Sequence, residues 1–244
     1  QQSGRVRCIL CLLRANAHRL SHCRDRTADV QSGFEARRRV GDRIDWQGPP
    51  CYAGRVRVLA IVPAYNEALN LPRVIAALRT SSPGSDICVV DDGSTDQTAA
   101  VAARLGAAVL RLPLNLGIGG AVQTGYLWAR DHAYDAAIQV DGDGQHDPSQ
   151  IAASLEPIEQ GRADVVIGSR ALPGSHIAVR PPFYRRLATA IFDLGKHLLV
   201  GLWDIADTQC GFKAFRGEAA RRLFTDAQIN RFMFDVEILY MARK

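Results

Sequence analysis

The chain has 244 residues, is 47% hydrophobic and carries a formal charge of +5, which describes one folded domain with room for an appendage and an ordinary core. The charge is unevenly placed: residues 1–54 hold ten Arg against five acidic residues, and residues 55–244 hold twenty of each sign. A body so balanced excludes a nucleic-acid-binding core, which carries its own basic stripe. Six cysteines make no disulfide scaffold, nothing resembles a secretory signal peptide, and no run approaches the roughly 18 apolar residues that cross a bilayer. The expectation is a cytoplasmic, reducing setting without a transmembrane span.

Residues 1–54 include Arg37, Arg38 and Arg39 in a row, lack sustained periodicity and end in Gly48-Pro49-Pro50. They read as a poorly ordered leader ahead of a folded domain over 55–244. Cys8 and Cys11 followed by His18 and His22 suggest zinc, but the gap is about half that of a zinc finger. From Arg57 the texture becomes strand and helix in alternation. Short, β-branched apolar runs at Val58–Val62, Ile87–Asp91, Ala108–Leu112, Ala136–Val140 and Val165–Gly168 predict buried parallel strands. Helical spacing fills the intervals at Ala68–Arg79, Asp96–Leu105, Gly119–Asp131 and Pro148–Gln160. This order predicts an α/β fold, a mostly parallel Rossmann-like sheet with helices on both faces and ligands at the carboxyl ends of the strands. The chain stops at Lys244 within an apolar helical pattern, so the domain is expected to be truncated there.

The fourth strand ends in the run Ile138 to Pro148, IQVDGDGQHDP, which places Asp141 and Asp143 one residue apart. Alternation puts i and i+2 on one side of an extended chain, so both carboxylates can reach one hard divalent cation that keeps room for substrate phosphates. An EF-hand fits poorly, since Ala152 stands where a bidentate Glu is needed and His146 where Gly is needed. A solvated Asp-Gly turn is the plainer alternative. LGIGGAVQTG at Leu116–Gly125 imitates a dinucleotide fingerprint, but its third glycine falls on Val122 and it follows the third strand, which disfavours a Rossmann oxidoreductase. A glycine-rich helix start still suits an anion or a close backbone contact.

Six motifs now stand in order: VPAYNE at Val62–Glu67, VVDDGSTD at Val89–Asp96, NLGIGGA at Asn115–Ala121, VDGDGQHDP at Val140–Pro148, GSR at Gly168–Arg170 and DTQCGFKAF at Asp207–Phe215. Together they resemble the family 2 glycosyltransferases of GT-A fold, most closely the branch that makes polyprenyl-phosphate and dolichyl-phosphate mannose or glucose. The resemblance covers about residues 57–243. It implies an inverting hexosyltransferase that uses Mg²⁺ or Mn²⁺, takes UDP-glucose or GDP-mannose, and delivers the sugar to a polyprenyl phosphate.

By the same resemblance Pro63, Tyr65, Glu67, Asp92, Asn115, Gly117, Asp141, Gly142 and Asp143 hold the nucleotide sugar. Asp141 and Asp143 hold the metal, with Gln145 as a further ligand or a partner of one. Physics agrees, because a cation bridging a departing diphosphate stabilises its developing charge. Tyr65 as a half-buried core phenol and Asp92 as a turn acid ahead of a helix are the plainer alternatives. Arg170 and Lys213 are candidate phosphate clamps, the first a planar fork of donors and the second a point charge; surface cations are the alternative. Asp207 is a candidate to orient the acceptor or act as base, while Cys210 reads as a small packed residue.

Between Phe183 and Trp203 apolar residues from Tyr184 to Leu202 recur at helical spacing. They describe either a helix packed on the core or an interfacial helix that grazes a bilayer, helped by Arg180, Arg185 and Arg186. The second reading makes the protein peripheral at the cytoplasmic face of a membrane. A family 2 enzyme with a soluble or glycan acceptor, and a non-catalytic nucleotide-binding fragment, are the remaining alternatives.

Overall fold

A computed structural model describes residues 9–13, 56–144, 150–169, 200–203, 205, 207–231 and 233–244. Its strands are β1 (Ile9–Leu13), β2 (Val58–Ala64), β3 (Ser85–Asp91), β4 (Ala108–Arg111), β5 (Ala136–Gln139), β6 (Val165–Ser169) and β7 (Lys213–Arg216). The helices are α1 (Leu71–Ser81), α2 (Thr98–Arg104), α3 (Ile118–Asp131), α4 (Gln150–Glu159), α5 (Gly217–Asp226) and α6 (Phe234–Arg243). The five strands and four helices expected from the sequence are all present, with ends shifted by up to three residues.

The strands form one sheet in the order β1-β6-β7-β5-β2-β3-β4. β5, β2, β3 and β4 pair in parallel, and β7 enters antiparallel to both β5 and β6. Five strands therefore share one direction. β7 and β1 oppose them, so the sheet is mostly parallel with two reversals that the βα alternation did not predict. β1 lies within the stretch read as a leader; ILCLL pairs antiparallel with β6 from Ile9 opposite Ser169 to Leu13 opposite Val165. Five apolar residues in an Arg-rich setting are too short for a periodicity signal, but suffice to cover an edge strand.

β2 is buried along its whole length because both faces are covered. Val58, Ala60, Val62 and Ala64 share one core cluster with Leu71, Val74, Ile75 and Leu78 of α1 and Ile151, Leu155 and Ile158 of α4. The α1 set recurs at the i, i+3, i+4, i+7 spacing of a single helical stripe, and Pro72 suits the first turn of that helix. The opposite face belongs to α3, where a Cβ on Gly125 would lie 2.3 Å from Ile61 Cγ2. On that side Tyr126 stacks on Phe224 of α5 at 4.0 Å and meets Phe215 of β7 edge-on at 5.1 Å. The Tyr126 hydroxyl donates to the Lys213 carbonyl at 3.1 Å, which ties α3 and α5 to the strand that completes the site.

Gly125 thus sets the separation of helix and sheet. Gly125→Ala should cost about 1–3 kcal/mol through overpacking against Ile61, read as a lowered urea midpoint with an unchanged slope.

Candidate active site

Every parallel strand ends on the same edge of the sheet, and five loops meet there. The turn after β2 carries Tyr65, Asn66 and Glu67. Asn66 adopts φ 56°, a left-handed conformation that Asn tolerates better than most side chains. Its Oδ1 accepts from the Thr95 N–H at 2.9 Å and the Asp96 N–H at 3.3 Å, and its own N–H donates to Ser94 Oγ at 2.9 Å. The Glu67 N–H donates to Thr98 Oγ1 at 2.9 Å, and Glu67 Oε2 accepts from Asn70 Nδ2 at 2.6 Å. The VPAYNE and DDGSTD loops are thereby clasped together, leaving Tyr65 48% exposed above them. Pro63 is buried as the penultimate residue of β2.

Asp92 is nearly buried and turned toward the third loop. Its two oxygens accept the Leu116 N–H at 2.7 Å and the Gly117 N–H at 2.9 Å. Burial pushes the Asp92 carboxyl up, and these two bonds pull it part of the way back. Asn115 is exposed beside it. Gly93, at φ 71°, lies so close to this loop that a Cβ would stand 2.7 Å from the Leu114 carbonyl carbon. The Asp92 carboxylate thus shapes the NLG turn at the start of α3, whereas the turn-acid alternative had placed it ahead of the helix that follows its own loop.

The DGD turn follows β5. Gln139 Nε2 donates to Asp141 Oδ1 at 3.3 Å, and Arg73 of α1 donates to the carbonyls of Asp143 and Gly144 at 3.2 and 3.4 Å. Gly142 packs against the β2 turn, where a Cβ would meet the Pro63 carbonyl oxygen at 2.9 Å. The fifth element is the Asp207–Gly211 turn leading into β7. Register places Gln139 opposite Lys213, so this turn arrives beside DGD, and a Cβ on Gly211 would fall 1.9 Å from Asp141 Oδ2. Asp207 Oδ1 accepts the Gln209 N–H at 3.1 Å and shapes the turn. The donor set fits a hard divalent cation: Asp141 and Asp143 supply two carboxylates on one turn, oxygen is the ligand such ions prefer, and only a glycine lets the second loop come so near. Among the described residues no group of three or more His, Cys, Asp or Glu gathers as a ready-made metal cage.

Lys213, expected as a phosphate clamp, is placed differently. It is 1% exposed, and its ammonium donates to Asp235 Oδ1 of α6 at 2.6 Å and to the Cys210 carbonyl. Burial raises the Asp235 carboxyl against the pull of Lys213, and neighbouring Asp141 and Asp207 raise it further. The ion pair lies near Asp141 and Asp207 and anchors the turn that precedes β7. Cys210 is fully buried, as its packed reading required. Gln145, Arg170 and residues 183–199 lie outside the described residues, as do Arg180, Arg185 and Arg186. Of the expected amphipathic stripe the structure describes its end, where Leu202 is buried and Trp203 exposed.

Sequence reasoning passed over Asn66, Arg73, Gln139 and Asp235. Asn66 was visible inside its motif. Arg73 and Asp235 act across 70 and 22 residues of chain, and no local signal marks them.

The fold and site define a glycosyltransferase of GT-A type. Residues 59–224 match the family model "Glycosyl transferase family 2", and the chain belongs to that family. It is 36% identical over 177 residues to an undecaprenyl-phosphate mannosyltransferase of Micrococcus luteus, covering 70% of this chain and 71% of that protein. It is 40% identical over 207 residues to a dolichyl-phosphate beta-glucosyltransferase of Drosophila melanogaster, covering 75% of this chain and 61% of the relative. Among solved structures, glucosyl-3-phosphoglycerate synthase from Mycobacterium tuberculosis in complex with Mn²⁺ and UDP-glucose superposes with a TM-score of 0.57 at 20% identity, over 77% of this chain and 64% of that one.

Two outcomes check this geometry. Asp235→Ala leaves the Lys213 ammonium buried without its partner and should cost about 3–5 kcal/mol, read by chemical denaturation. Gly211→Ala should push the Asp141 carboxylate aside and lower sugar transfer about 100-fold, with circular dichroism verifying that the sheet survives.

Proposed function

We propose that residues 55–244 form the catalytic domain of an inverting, metal-dependent hexosyltransferase that moves glucose or mannose from UDP-glucose or GDP-mannose to a polyprenyl phosphate. The observation that carries this reading is the meeting of the DGD turn with the Asp207–Gly211 turn at the Asp141 carboxylate. A junction of two turns at the strand ends is the kind of setting that suits a diphosphate with an acceptor beside it, which supports the reading. Relatives named as undecaprenyl-phosphate mannosyltransferase and dolichyl-phosphate beta-glucosyltransferase support the substrate class.

In this reading Tyr65 offers a flat face to the base. Asp92 and the Leu116–Gly117 turn border the ribose, with Asn115 at the rim. Asp141 and Asp143, with Gln145 as the further candidate, would hold Mg²⁺ or Mn²⁺, which would neutralise charge on the leaving diphosphate. The acceptor phosphate oxygen attacks the anomeric carbon as the bond to the diphosphate breaks, which inverts the centre. The acceptor is already an anion at neutral pH, so Asp207 serves to place it and has no proton to remove. Arg170 is the remaining phosphate clamp, since the Lys213 charge is committed to Asp235.

No helix among the described residues is long and apolar enough to cross a membrane. The lipid acceptor is met from the surface, with Arg180, Arg185 and Arg186 adding about 1 kcal/mol each of salt-sensitive attraction to anionic lipid. The test is transfer from a panel of radiolabelled UDP- and GDP-sugars to polyprenyl phosphate in anionic liposomes. Wild type should transfer one sugar, sediment with liposomes at low salt and detach at high salt. Asp143→Ala should keep its fold and lose transfer. Transfer by that variant at the wild-type rate would remove the metal assignment, and transfer to a soluble acceptor without liposome binding would replace the lipid with a soluble one.

A further inference from the structure

The order of strands across the sheet fixes an order of chemistry along its edge. β4, β3, β2, β5 and β7 are consecutive neighbours, each about 4.8 Å from the next. Their loops present, in turn, the Asn115–Gly117 turn, Asp92, Tyr65 to Glu67, the Asp141–Asp143 pair and the Asp207–Gly211 turn. A nucleotide sugar laid along this edge with its base at the β2–β4 end and its diphosphate at β5 has one group left, the hexose, and the next loop is the turn before β7.

That turn holds groups without partners. Thr208 Oγ1 and Gln209 Nε2, on consecutive residues, are buried atoms with no hydrogen-bond partner. An orphaned donor in a native structure costs free energy and calls for an explanation. The Gln209 main chain is held, its N–H bonded to Asp207 Oδ1. Two residues on, Gly211 abuts the Asp141 carboxylate, and Lys213 fixes the Cys210 carbonyl from behind. The Gln209 backbone is thus anchored on both sides while its side-chain Nε2 donates to nothing. A neutral carboxamide suits a hydroxyl, which both donates and accepts, better than a phosphate, which charged forks and point charges serve.

We propose that Gln209 is a sugar-reading residue: its Nε2 donates to a hydroxyl oxygen of the donor's hexose, and this contact helps to select the sugar transferred. The inference rests on the nucleotide-sugar reading of the site and adds to it the place of the sugar.

The test uses Gln209→Met, which keeps the size of the side chain and removes the donor, and Gln209→Glu, which can still accept from a hydroxyl but repels a phosphate. Binding of UDP, GDP, UDP-glucose and GDP-mannose is measured by calorimetry with Mg²⁺ on the whole chain. Gln209→Met should bind the bare nucleotides as wild type does, and bind the preferred nucleotide sugar about fivefold to tenfold more weakly. Gln209→Glu should keep its nucleotide affinity. The unliganded Gln209→Met protein should melt no lower than wild type, because the donor it loses has no partner to give up. Equal weakening for nucleotide and nucleotide sugar would assign the amide to a phosphate oxygen and overturn the proposal. So would unchanged binding of every ligand, or a clear loss of stability in the unliganded Met variant. A wild-type protein that binds neither sugar nucleotide would end the reading beneath the inference and the inference with it.

Discussion

The antiparallel entry of β7 beside β5 is the constraint on which the site depends. A parallel strand in that place would deliver its following loop to the edge, as every other central strand does. β7 delivers its preceding turn instead, so two chain segments about 70 residues apart meet with Gln139 opposite Lys213. The contact is as close as atoms permit, since the Asp141 carboxylate fills the space where a Gly211 side chain would be. Behind it the buried Lys213–Asp235 pair fastens the Asp207–Gly211 turn to α6. The ammonium pairs with Asp235, whose carboxyl the neighbouring Asp141 and Asp207 push up.

The architecture was legible where the physics is local. Buried strands announce themselves as β-branched runs, and the α1 stripe of Leu71, Val74, Ile75 and Leu78 is a pattern any helix of that face must show. The acidic run after β5 was legible as a loop at the strand end, but the alternation that would put Asp141 and Asp143 on one side of an extended chain does not apply there, because β5 ends at Gln139 and the two carboxylates lie in a turn. β1 was not, because five apolar residues gain their meaning from an exposed edge of β6 that lies far along the chain.

Lys213 illustrates the opposite failure. A lysine in a motif with acidic neighbours reads as a cation offered to phosphate, but its fate was set by Asp235, 22 residues later on α6. Asp92 was half legible. Its place after β3 predicted a carboxylate at the site, while its two bonds to the Leu116 and Gly117 N–H groups depend on how close the β4 loop comes. Orphaned atoms such as Gln209 Nε2 are invisible in a sequence, because being without a partner is a property of packing.

The clasp centred on Asn66 constrains how this protein can change over time. Because Asn66 bonds to Ser94, Thr95 and Asp96 through both side chain and main chain, the loops after β2 and β3 cannot drift independently; altering one without the other breaks the fastening. Tyr65 stands outside that fastening, exposed on a rigid mount. Tyr65 can therefore be exchanged for another side chain with the frame around it left intact, so variation at the mouth of these two loops carries little structural risk.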